Sequence, residues 1–427
     1  MSGEPMSRAS EPISRETLLV RIAGTLVIAL PAVVTRVGGL HPSATAEVLV
    51  HGAAVLSAAI LLLWAAETAR ADIPGPLAMA VLALTAVLPQ YAVDVYYAYT
   101  GGTRPGYSAY AAATMTGANR LLVGFGWALV ALALALGIRR LAGRSGGSGR
   151  HAARGPGRRD VRLAARHRVE LGFLALAAVL GFIPALTGEI GWYIAILLIA
   201  VYVLYLARVA RGGREKDAWT PEGVPAWLVT LPRRERWIAA AAGFTLAKII
   251  LVVSTARFGD ALVVTGASLG SDEFLLVQLL APVAAEAPVL LVAAMLAWRL
   301  RDADAIGTLL SSKVNQWTLL IACLPFAYRA GGGGWSLPLD SRQIEEVLLT
   351  ASQTVLGLSL LIDLVFRRWE AAVLFVLFAV QFVLPGEEAR LVLAGICLAI
   401  GFSVLIARYR DLAQAMETVV RPRRGAR

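Results

Sequence analysis

The residue of this sequence that is best placed to do chemistry is a glutamate inside a long apolar segment. Glu286 lies within residues 274–299, which are long enough to cross a bilayer, and it stands between Pro282 and Pro288. A charge at that depth is costly, and each proline removes a backbone donor and disfavours the helical turn before it. A carboxylate beside an interrupted helix favours a cation-binding site. The alternative is a kinked helix in which Glu286 meets a single buried partner.

The composition indicates the class of protein. Of 427 residues, 58% are hydrophobic and 16% are charged, and apolar segments recur along the chain, which is typical of a polytopic helical membrane protein. The net charge of +11 comes from basic residues that gather between apolar segments, as orientation signals do, so we expect no nucleic-acid partner. The two cysteines, Cys323 and Cys397, lie inside apolar segments, which excludes a disulfide framework and a thiolate metal site.

The hydrophobic windows predict an all-α polytopic membrane protein with about 12 transmembrane helices. These helices are expected near residues 17–37, 45–68, 74–99, 108–138, 169–186, 189–210, 237–266, 272–299, 303–326, 344–366, 369–385 and 388–407. Basic residues concentrate in every second loop, above all in the Gly-rich segment 139–168 and in 211–236. That asymmetry predicts a multi-pass protein of the cell (inner) membrane with both termini in the cytoplasm.

Two parts of the chain resemble one another. Residues 82–98 hold a Pro-adjacent polar residue, and residues 115–127 follow with a polar cluster in the next helix; residues 279–295 and 309–320 repeat this order. The loop count makes the first copy run outward and the second inward. Such inverted repeats place a substrate near the bilayer midplane, between discontinuous helices.

The paired segments resemble the alpha-repeats of the cation/calcium antiporter superfamily, which includes the sodium/calcium exchangers. That family carries Gly-Thr-Ser-x-Pro-Glu in one helix and Gly-Ser-Asn-x-x-Asn/Asp in the next. Residues 86–90 end in Gln90 where the family has glutamate, and Ala285-Glu286 keeps the acid. Residues 117–122 and 311–316 are similar to the second motif.

This resemblance implies two inverted repeats of the sodium/calcium exchanger type and an ion site between them. The implied domain order is a leader with an extra helix, a first half containing the cytoplasmic loop 139–168, a cytoplasmic linker, a second half, and an extra helix with a basic tail: 1–44, 45–210, 211–236, 237–385 and 386–427. The expected ion-binding residues are Glu286, Gln90, Asp94, Asn119, Ser312, Asn315 and Gln316, with Glu286 and Asp94 as the metal-binding acids. Asp94 follows Gln90 by one helical turn, so both lie on one helix face.

Two cations near the motifs bear on the choice of ion. Lys313 facing Glu286 or Asp94 would either release a proton when a metal cation binds or remain a permanent lock between helices. Arg120 is expected as a counter-charge to Asp94 or as an anchor near the membrane surface. Two carboxylates opposed by two cations leave little charge for a divalent ion, which weakens a Ca2+ interpretation.

The sequence therefore predicts a secondary antiporter that exchanges a small metal cation, with Na+ favoured, against H+ by alternating access. A Ca2+/Na+ or Ca2+/H+ exchanger is the alternative, and a channel or a non-transporting scaffold or sensor with a degenerate ion site is the further one. An enzyme is not expected, because HExxH, GxSxG and a phosphate-binding glycine loop are absent from the sequence. We expect no cofactor beyond the transported Na+ or Ca2+. The expected partners are the cation, protons and the lipid bilayer, with a homodimer left open.

Overall fold

The computed structural model describes most of the chain. It covers residues 14–72, 75–104, 106–144, 160–211, 221, 223–268, 273–384 and 386–420, with only the backbone described at 75–86, 141–144 and 273. The described residues are predominantly helical. The expected predominance of helices is confirmed, and two small sheets are also present.

The amino-terminal part contains eight helices among its described residues. They are α1 (Arg15–Val37), α2 (Ala44–Ala69), α3 (Gly75–Gly101), α4 (Tyr107–Arg120), α5 (Trp127–Arg144), α6 (Arg168–Leu180), α7 (Ile183–Thr187) and α8 (Trp192–Arg211). A π-helical turn, Leu121–Gly126, joins α4 to α5 without a break, and a 3-10 turn, Ala165–His167, leads into α6.

The carboxyl-terminal part contains nine helices among its described residues. They are α9 (Val224–Leu228), α10 (Arg233–Ser268), α11 (Glu273–Trp298), α12 (Asp302–Asn315), α13 (Ile321–Ala330), α14 (Ser341–Leu361), α15 (Arg368–Val383), α16 (Glu387–Ala407) and α17 (Tyr409–Val420). A second π-helical turn, Gln316–Leu320, joins α12 to α13.

Each of the twelve segments predicted as membrane helices contains a helix, although residues 189–191 and 365–366 form strands and residues 74, 272 and 385 lie outside the described residues. Within the described part of the chain, nine helical segments are long and apolar enough to cross a membrane by themselves. The 16-residue α15 is shorter than the roughly 20 residues that a perpendicular span needs. Large apolar side chains point outward from several helices, as lipid-facing residues do; they include Val20, Val252 and Ile406, each more than 70% exposed.

Two small antiparallel sheets lie at opposite ends of the helix bundle. β1 (Val161–Arg162) pairs with β4 (Val365–Phe366), and β2 (Glu189–Gly191) pairs with β3 (Ser336–Pro338). α6 and α7 lead from β1 to β2, whereas α14 leads from β3 to β4. α6 and α14 therefore run in opposite directions, as the inverted repeats require, and the two ends are called here the β1–β4 end and the β2–β3 end.

Small residues allow the central helices to approach one another closely. A Cβ atom at Gly117 of α4 would collide with the backbone oxygen of Gln278 on α11, and one at Gly137 of α5 would collide with that of Trp298. In lipid, such small-residue contacts replace the hydrophobic driving force that packs helices in water. They fix α11, which carries Glu286, against α4 and α5.

The last helix, α17, was not expected from the sequence. The region after residue 407 was predicted as a basic tail, but Tyr409–Val420 forms an amphipathic helix packed on α6. Ala415 lies against Gly172, and the Arg168 guanidinium contacts the Asp411 carboxylate at 3.3 Å. The predicted basic tail thus contains a helix whose apolar face packs on α6.

Candidate ion-binding site

Two carboxylate–amide pairs lie in the centre of the bundle. On α3, the Gln90 amide Nε2 donates to Asp94 Oδ1 at 2.8 Å, across one helical turn. Glu286 on α11 accepts from Gln316 Nε2 at 2.7 Å, and Gln316 begins the π-helical turn after α12. All four side chains are completely buried. The acids of the two pairs are close enough for their charges to interact.

Each pair leaves two oxygen atoms without a hydrogen-bond partner among the described residues. They are Oε1 of Gln90, Oδ2 of Asp94, Oε2 of Glu286 and Oε1 of Gln316. Buried oxygens without donors are costly, so they require a proton, water or a cation. Carboxylate and amide oxygens are the ligands that hard cations such as Ca2+ prefer. The four atoms form a candidate cation site to which each half of the chain contributes one acid and one amide.

Asn315 joins three helices beside this site. Its Oδ1 accepts from the Tyr91 hydroxyl at 2.8 Å, and its Nδ2 donates to the Tyr202 hydroxyl at 2.8 Å. Tyr91 lies next to Gln90 on α3, and Tyr202 belongs to α8. The amide of Asn315 therefore holds tyrosines of the first half against the second-half motif.

Asn119 and Ser312 occupy different surroundings. The Asn119 amide donates to the Met115 carbonyl on its own helix at 2.8 Å, and its Oδ1 accepts from Lys313 Nζ at 2.9 Å. Ser312 is buried on α12 directly before Lys313 and is not a member of either carboxylate–amide pair. Their expected roles as ion ligands stay predictions.

Lys313 does not make the expected ion pair with Glu286 or Asp94. Its Nζ, fully buried, donates to Asn119 Oδ1 and lies 3.5 Å from the Asn119 carbonyl oxygen and 4.4 Å from the centroid of the Trp317 ring. Within the two motifs Lys313 and Asn119 hold corresponding positions, so the pseudo-symmetry of the repeats brings these two side chains together. The hydrogen-bond acceptor of the Lys313 amine is therefore the Asn119 amide of the other motif, and not a carboxylate.

The partner predicted for Arg120 was also wrong. The buried Arg120 guanidinium contacts the Glu346 carboxylate at 2.5 Å and donates to Gln381 Oε1 at 2.8 Å, so it serves neither Asp94 nor the membrane surface. Gln278 Nε2 donates to the same Glu346 oxygen at 3.1 Å. Arg390 reaches Glu346 at 3.9 Å. These side chains form a second polar centre, on α14 and its neighbours, that sequence reasoning missed.

The sequence contains the acids of this second centre but does not distinguish them from ordinary helix acids. Glu345 and Glu346 stand side by side in a helix that is 89% buried over its most apolar window. Acids near the start of a helix are common because they complement the helix dipole. The sequence therefore gives no reason to assign these two acids to a buried polar centre. Their burial distinguishes them, and burial depends on packing between distant parts of the chain.

The described residues contain no cluster of three or more His, Cys, Asp or Glu side chains that could hold a metal ion. The candidate site instead combines two carboxylates with amide oxygens. An ion that crosses a membrane must also leave its site, and a site with few charges favours release over permanent retention. The donor set suits a transported cation better than a resident one.

Comparisons of the sequence and the fold with known proteins find cation exchangers. A family model described as "Sodium/calcium exchanger protein" matches residues 43–210 and 239–385. The structure of the H+/Ca2+ exchanger CAX is 36% identical in sequence, covers 95% of this chain and 98% of its own, and gives a TM-score of 0.86. The Ca2+/H+ antiporter YfkE is 13% identical, covers 88% and 99%, and gives a TM-score of 0.58, a likeness of fold alone. The comparison with curated sequences found no match.

Fold and site thus define a membrane-embedded cation exchanger. The chain belongs to the sodium/calcium exchanger family, in the cation/calcium antiporter superfamily. That family consists of secondary transporters of metal cations and protons rather than catalytic enzymes. The resemblance found in the two sequence motifs is confirmed.

Proposed function

We propose that this protein is a Ca2+/H+ antiporter in which the cation binds between Asp94 and Glu286. The observation that carries the proposal is the set of four partnerless buried oxygens on Gln90, Asp94, Glu286 and Gln316. A Ca2+ ion takes six to eight oxygens at roughly 2.3–2.6 Å, so water or further protein oxygens would complete its shell.

The charges at the site favour a divalent ion over the Na+ that the sequence favoured. That preference assumed that Lys313 and Arg120 neutralise the two acids. Arg120 instead contacts Glu346, and Lys313 contacts Asn119. Asp94 and Glu286 therefore keep two negative charges for the substrate when both are ionised. The 36% identity to an H+/Ca2+ exchanger supports the same choice, and Na+ remains the alternative substrate.

Proton coupling follows from competition for the same oxygen atoms. A buried carboxylate that is not neutralised by a cation is costly, so protonation is its alternative when the ion leaves. One Ca2+ ion that replaces a proton on Asp94 and another on Glu286 makes an electroneutral exchange. The cation and the protons would then cross the membrane in opposite directions on the same two side chains.

Alternating access would act through the proline-containing helices α3 and α11. Both are continuous in the structure rather than interrupted as the sequence suggested, but Pro89 in α3 and Pro282 and Pro288 in α11 each remove one backbone donor from a helix that carries an acid. The inverted repeats allow these helices to open toward one membrane face and then the other. We propose the cell (inner) membrane as the location, with both termini in the cytoplasm.

Purified protein in proteoliposomes with a pH-sensitive dye inside tests this function. Separate gradients of Ca2+, Na+ and K+ identify the ion, and we expect H+ movement with Ca2+. Glu286→Gln removes one charge with little change of shape and should abolish coupled uptake. Glu388→Gln, at an exposed position of α16, is the matched control and should transport normally. H+ movement driven by Na+ but not Ca2+ would establish the alternative, and equal fluxes in wild type and Glu286→Gln would contradict the proposed site.

A further inference from the structure

One pair of polar side chains beside the ion site joins the two halves and belongs to neither carboxylate–amide pair. Lys313 Nζ donates to Asn119 Oδ1 at 2.9 Å and lies 3.5 Å from the Asn119 carbonyl oxygen. Lys313 is among the largest side chains that are completely buried, and Asn119 is completely buried as well. A buried amine costs free energy unless polar groups replace the water that it loses. The proposed exchange of Ca2+ for protons on two acids uses neither side chain.

The surroundings of the Lys313 amine are those of a cation site. Amide and carbonyl oxygens are ligands that hard cations prefer, and Asn119 presents one of each to Nζ. The centroid of the Trp317 ring lies 4.4 Å from Nζ, a distance at which an aromatic face attracts a cation. Trp317 is itself completely buried, and a Cβ atom at Gly181 would collide with its indole. Close packing therefore holds the ring against the amine.

This position is adjacent to both carboxylate–amide pairs. Gln316, the amide of the second pair, follows Lys313 by three residues where α12 continues into the π-helical turn. On α4, the Thr114 carbonyl oxygen lies 3.4 Å from Gln90 Nε2, and Asn119 follows Thr114 by five residues. The elements that meet through Lys313 and Asn119 are thus the same ones that contact the two pairs. A second cation held by Asn119 would lie near the substrate.

From this geometry we infer that Lys313 determines the counter-ion of the exchanger. Its amine occupies a second cation position, formed by Asn119 and Trp317, and thereby excludes Na+. The side chain fills the position and its N–H groups satisfy the Asn119 oxygens, so an alkali cation finds neither space nor free ligands there. Protons on Asp94 and Glu286 are then left as the counter-ions for Ca2+. The inference deepens the proposed function and rests on it.

Emptying this position without changing the two acids tests the inference. Lys313→Ser removes the amine, opens space and adds a hydroxyl oxygen. Lys313→Met is the matched control, since it removes the amine but fills the space with a soft thioether, which suits Na+ poorly. The detergent-solubilised full chain is heated at rising NaCl, with choline chloride as the ionic-strength control. At a Na+ concentration about ten times the dissociation constant, we expect a rise in unfolding temperature about 2 °C larger in Lys313→Ser than in Lys313→Met or the wild type.

Ca2+ uptake in proteoliposomes provides a second measurement on the same three proteins. Without a pH gradient, an outward Na+ gradient should drive Ca2+ uptake by Lys313→Ser but not by Lys313→Met or the wild type. Lys313→Asn copies the residue at the corresponding position of the first half, and it replaces Lys313→Ser if that variant fails to fold. It also offers an oxygen in place of the amine, so the same Na+ responses are expected.

The inference requires both Na+ responses. A folded Lys313→Ser that responds to Na+ no more than Lys313→Met, in either measurement, would overturn it and leave Lys313 as a structural contact between the halves. Na+-driven Ca2+ uptake by the wild type would overturn it as well. A wild-type protein that moves no Ca2+ would instead contradict the proposed function, whereas the thermal comparison of the variants would still decide whether Lys313 fills a cation position.

Discussion

At the scale of single residues, the two buried acids of the ion site have unequal surroundings. Asp94 and its amide partner Gln90 lie on one helix, so any movement of α3 carries the pair together. Glu286 and its partner Gln316 lie on different elements, so a shift of the π-helical turn against α11 separates them. Such small shifts between packed elements are how transporters change exposure of a site. We expect Glu286 to be the acid whose hydration changes more between the two access states.

Because Lys313 contacts Asn119 and not an acid, we predict that its amine does not carry the transported protons. Lys313→Met keeps the length of the side chain and removes the amine, while Asp94 and Glu286 keep their proton-accepting oxygens. We expect the ratio of H+ to Ca2+ transported to remain unchanged, because the protons travel on the acids. Simultaneous H+ and Ca2+ flux measurements in the same vesicles determine this ratio. Lys248→Met, at an exposed position of α10, is the control.

Ca2+ movement without counter-movement of protons in Lys313→Met would contradict this prediction. That result would indicate that Lys313 releases the coupled proton, as the sequence suggested. A loss of both fluxes in a protein that still folds, judged by size-exclusion chromatography, would also count against a coupling carried only by the acids.

The residues of the site were more predictable than their partners. The two motifs and the expected helix faces pointed to Glu286, Gln90, Asp94 and Gln316, which the structure brings into two hydrogen-bonded pairs. The partners of Arg120 and Lys313 were mistaken because each contact spans the two halves: Arg120 and Gln381 are 261 residues apart. Sequence patterns establish which faces of a helix are polar, but the packing of whole helices decides which polar groups meet.

At the scale of elements, the pair of Arg120 and Glu346 should be essential for the packing of α4 against α14. Both side chains are at least 97% buried. Glu346→Gln leaves the Arg120 charge without its full partner, and breaking a buried pair in this way costs about 3–5 kcal/mol. We expect a large fall in the thermal unfolding temperature of the detergent-solubilised protein.

Two comparisons separate this effect from a general loss of charge. Arg104→Ala breaks a surface contact to Asp260 of 3.9 Å, with the Arg104 side chain 62% exposed, and should leave the unfolding temperature almost unchanged because water screens exposed ion pairs. The double variant Arg120→Met with Glu346→Leu removes both charges and should recover part of the loss. A Glu346→Gln protein as stable as wild type would show that Arg120 does not depend on this acid.

The close approach of α4 and α11 gives a second prediction at this scale. Gly117→Ala places a methyl group against the Gln278 backbone oxygen, which cannot move without shifting α11 and Glu286. We expect lower thermal stability and weaker Ca2+ transport. Gly395→Ala is the matched control, since no atom lies within 4 Å of the added Cβ on α16. It should be neutral or stabilising by roughly 0.5–1 kcal/mol. Equal behaviour of the two variants would contradict the packing described here.

The loop after α2 provides a prediction about pH. Asp72 Oδ1 and Oδ2 accept from the Arg236 guanidinium at 2.6 and 2.9 Å. This hydrogen-bonded contact lowers the pKa of the Asp72 carboxyl below its ordinary value. Its contribution to stability is therefore present above the ordinary pKa, about 4, and disappears as pH falls through the lowered value. Asp72→Asn should lower the unfolding temperature at pH 7, and the difference from wild type should shrink in acid. A difference independent of pH would contradict this linkage.

The positions of the membrane helices were predictable, and their internal irregularities were not. Apolar windows located a helix in each of the twelve predicted segments, because a membrane span needs about 20 mostly apolar residues. The π-helical turns after Asn119-Arg120 and after Asn315 leave those windows unchanged, since they alter only which backbone groups pair. The small sheets were missed because two or three residues per strand carry no periodic signal.

At the scale of the whole molecule, the two sheets agree with the alternation of basic loops. The strand before α6 comes from the long basic loop, and its partner β4 precedes Arg367 and Arg368 in a second basic loop. Their pairing places the two loops at the same end of the bundle. The residues around β2 and β3, which have fewer basic side chains, lie at the other end. Both termini in the cytoplasm remain a prediction from the charge asymmetry.

In the proposed mechanism, two acids, one from each inverted half, exchange protons for a metal cation. The measurement that tests it most directly is the number of protons moved per Ca2+ ion in proteoliposomes, with both fluxes recorded together. We predict two protons per ion and no membrane current for wild type, and no coupled flux for Asp94→Asn or Glu286→Gln. A Ca2+ flux that persists in either variant with the wild-type proton ratio would contradict the account.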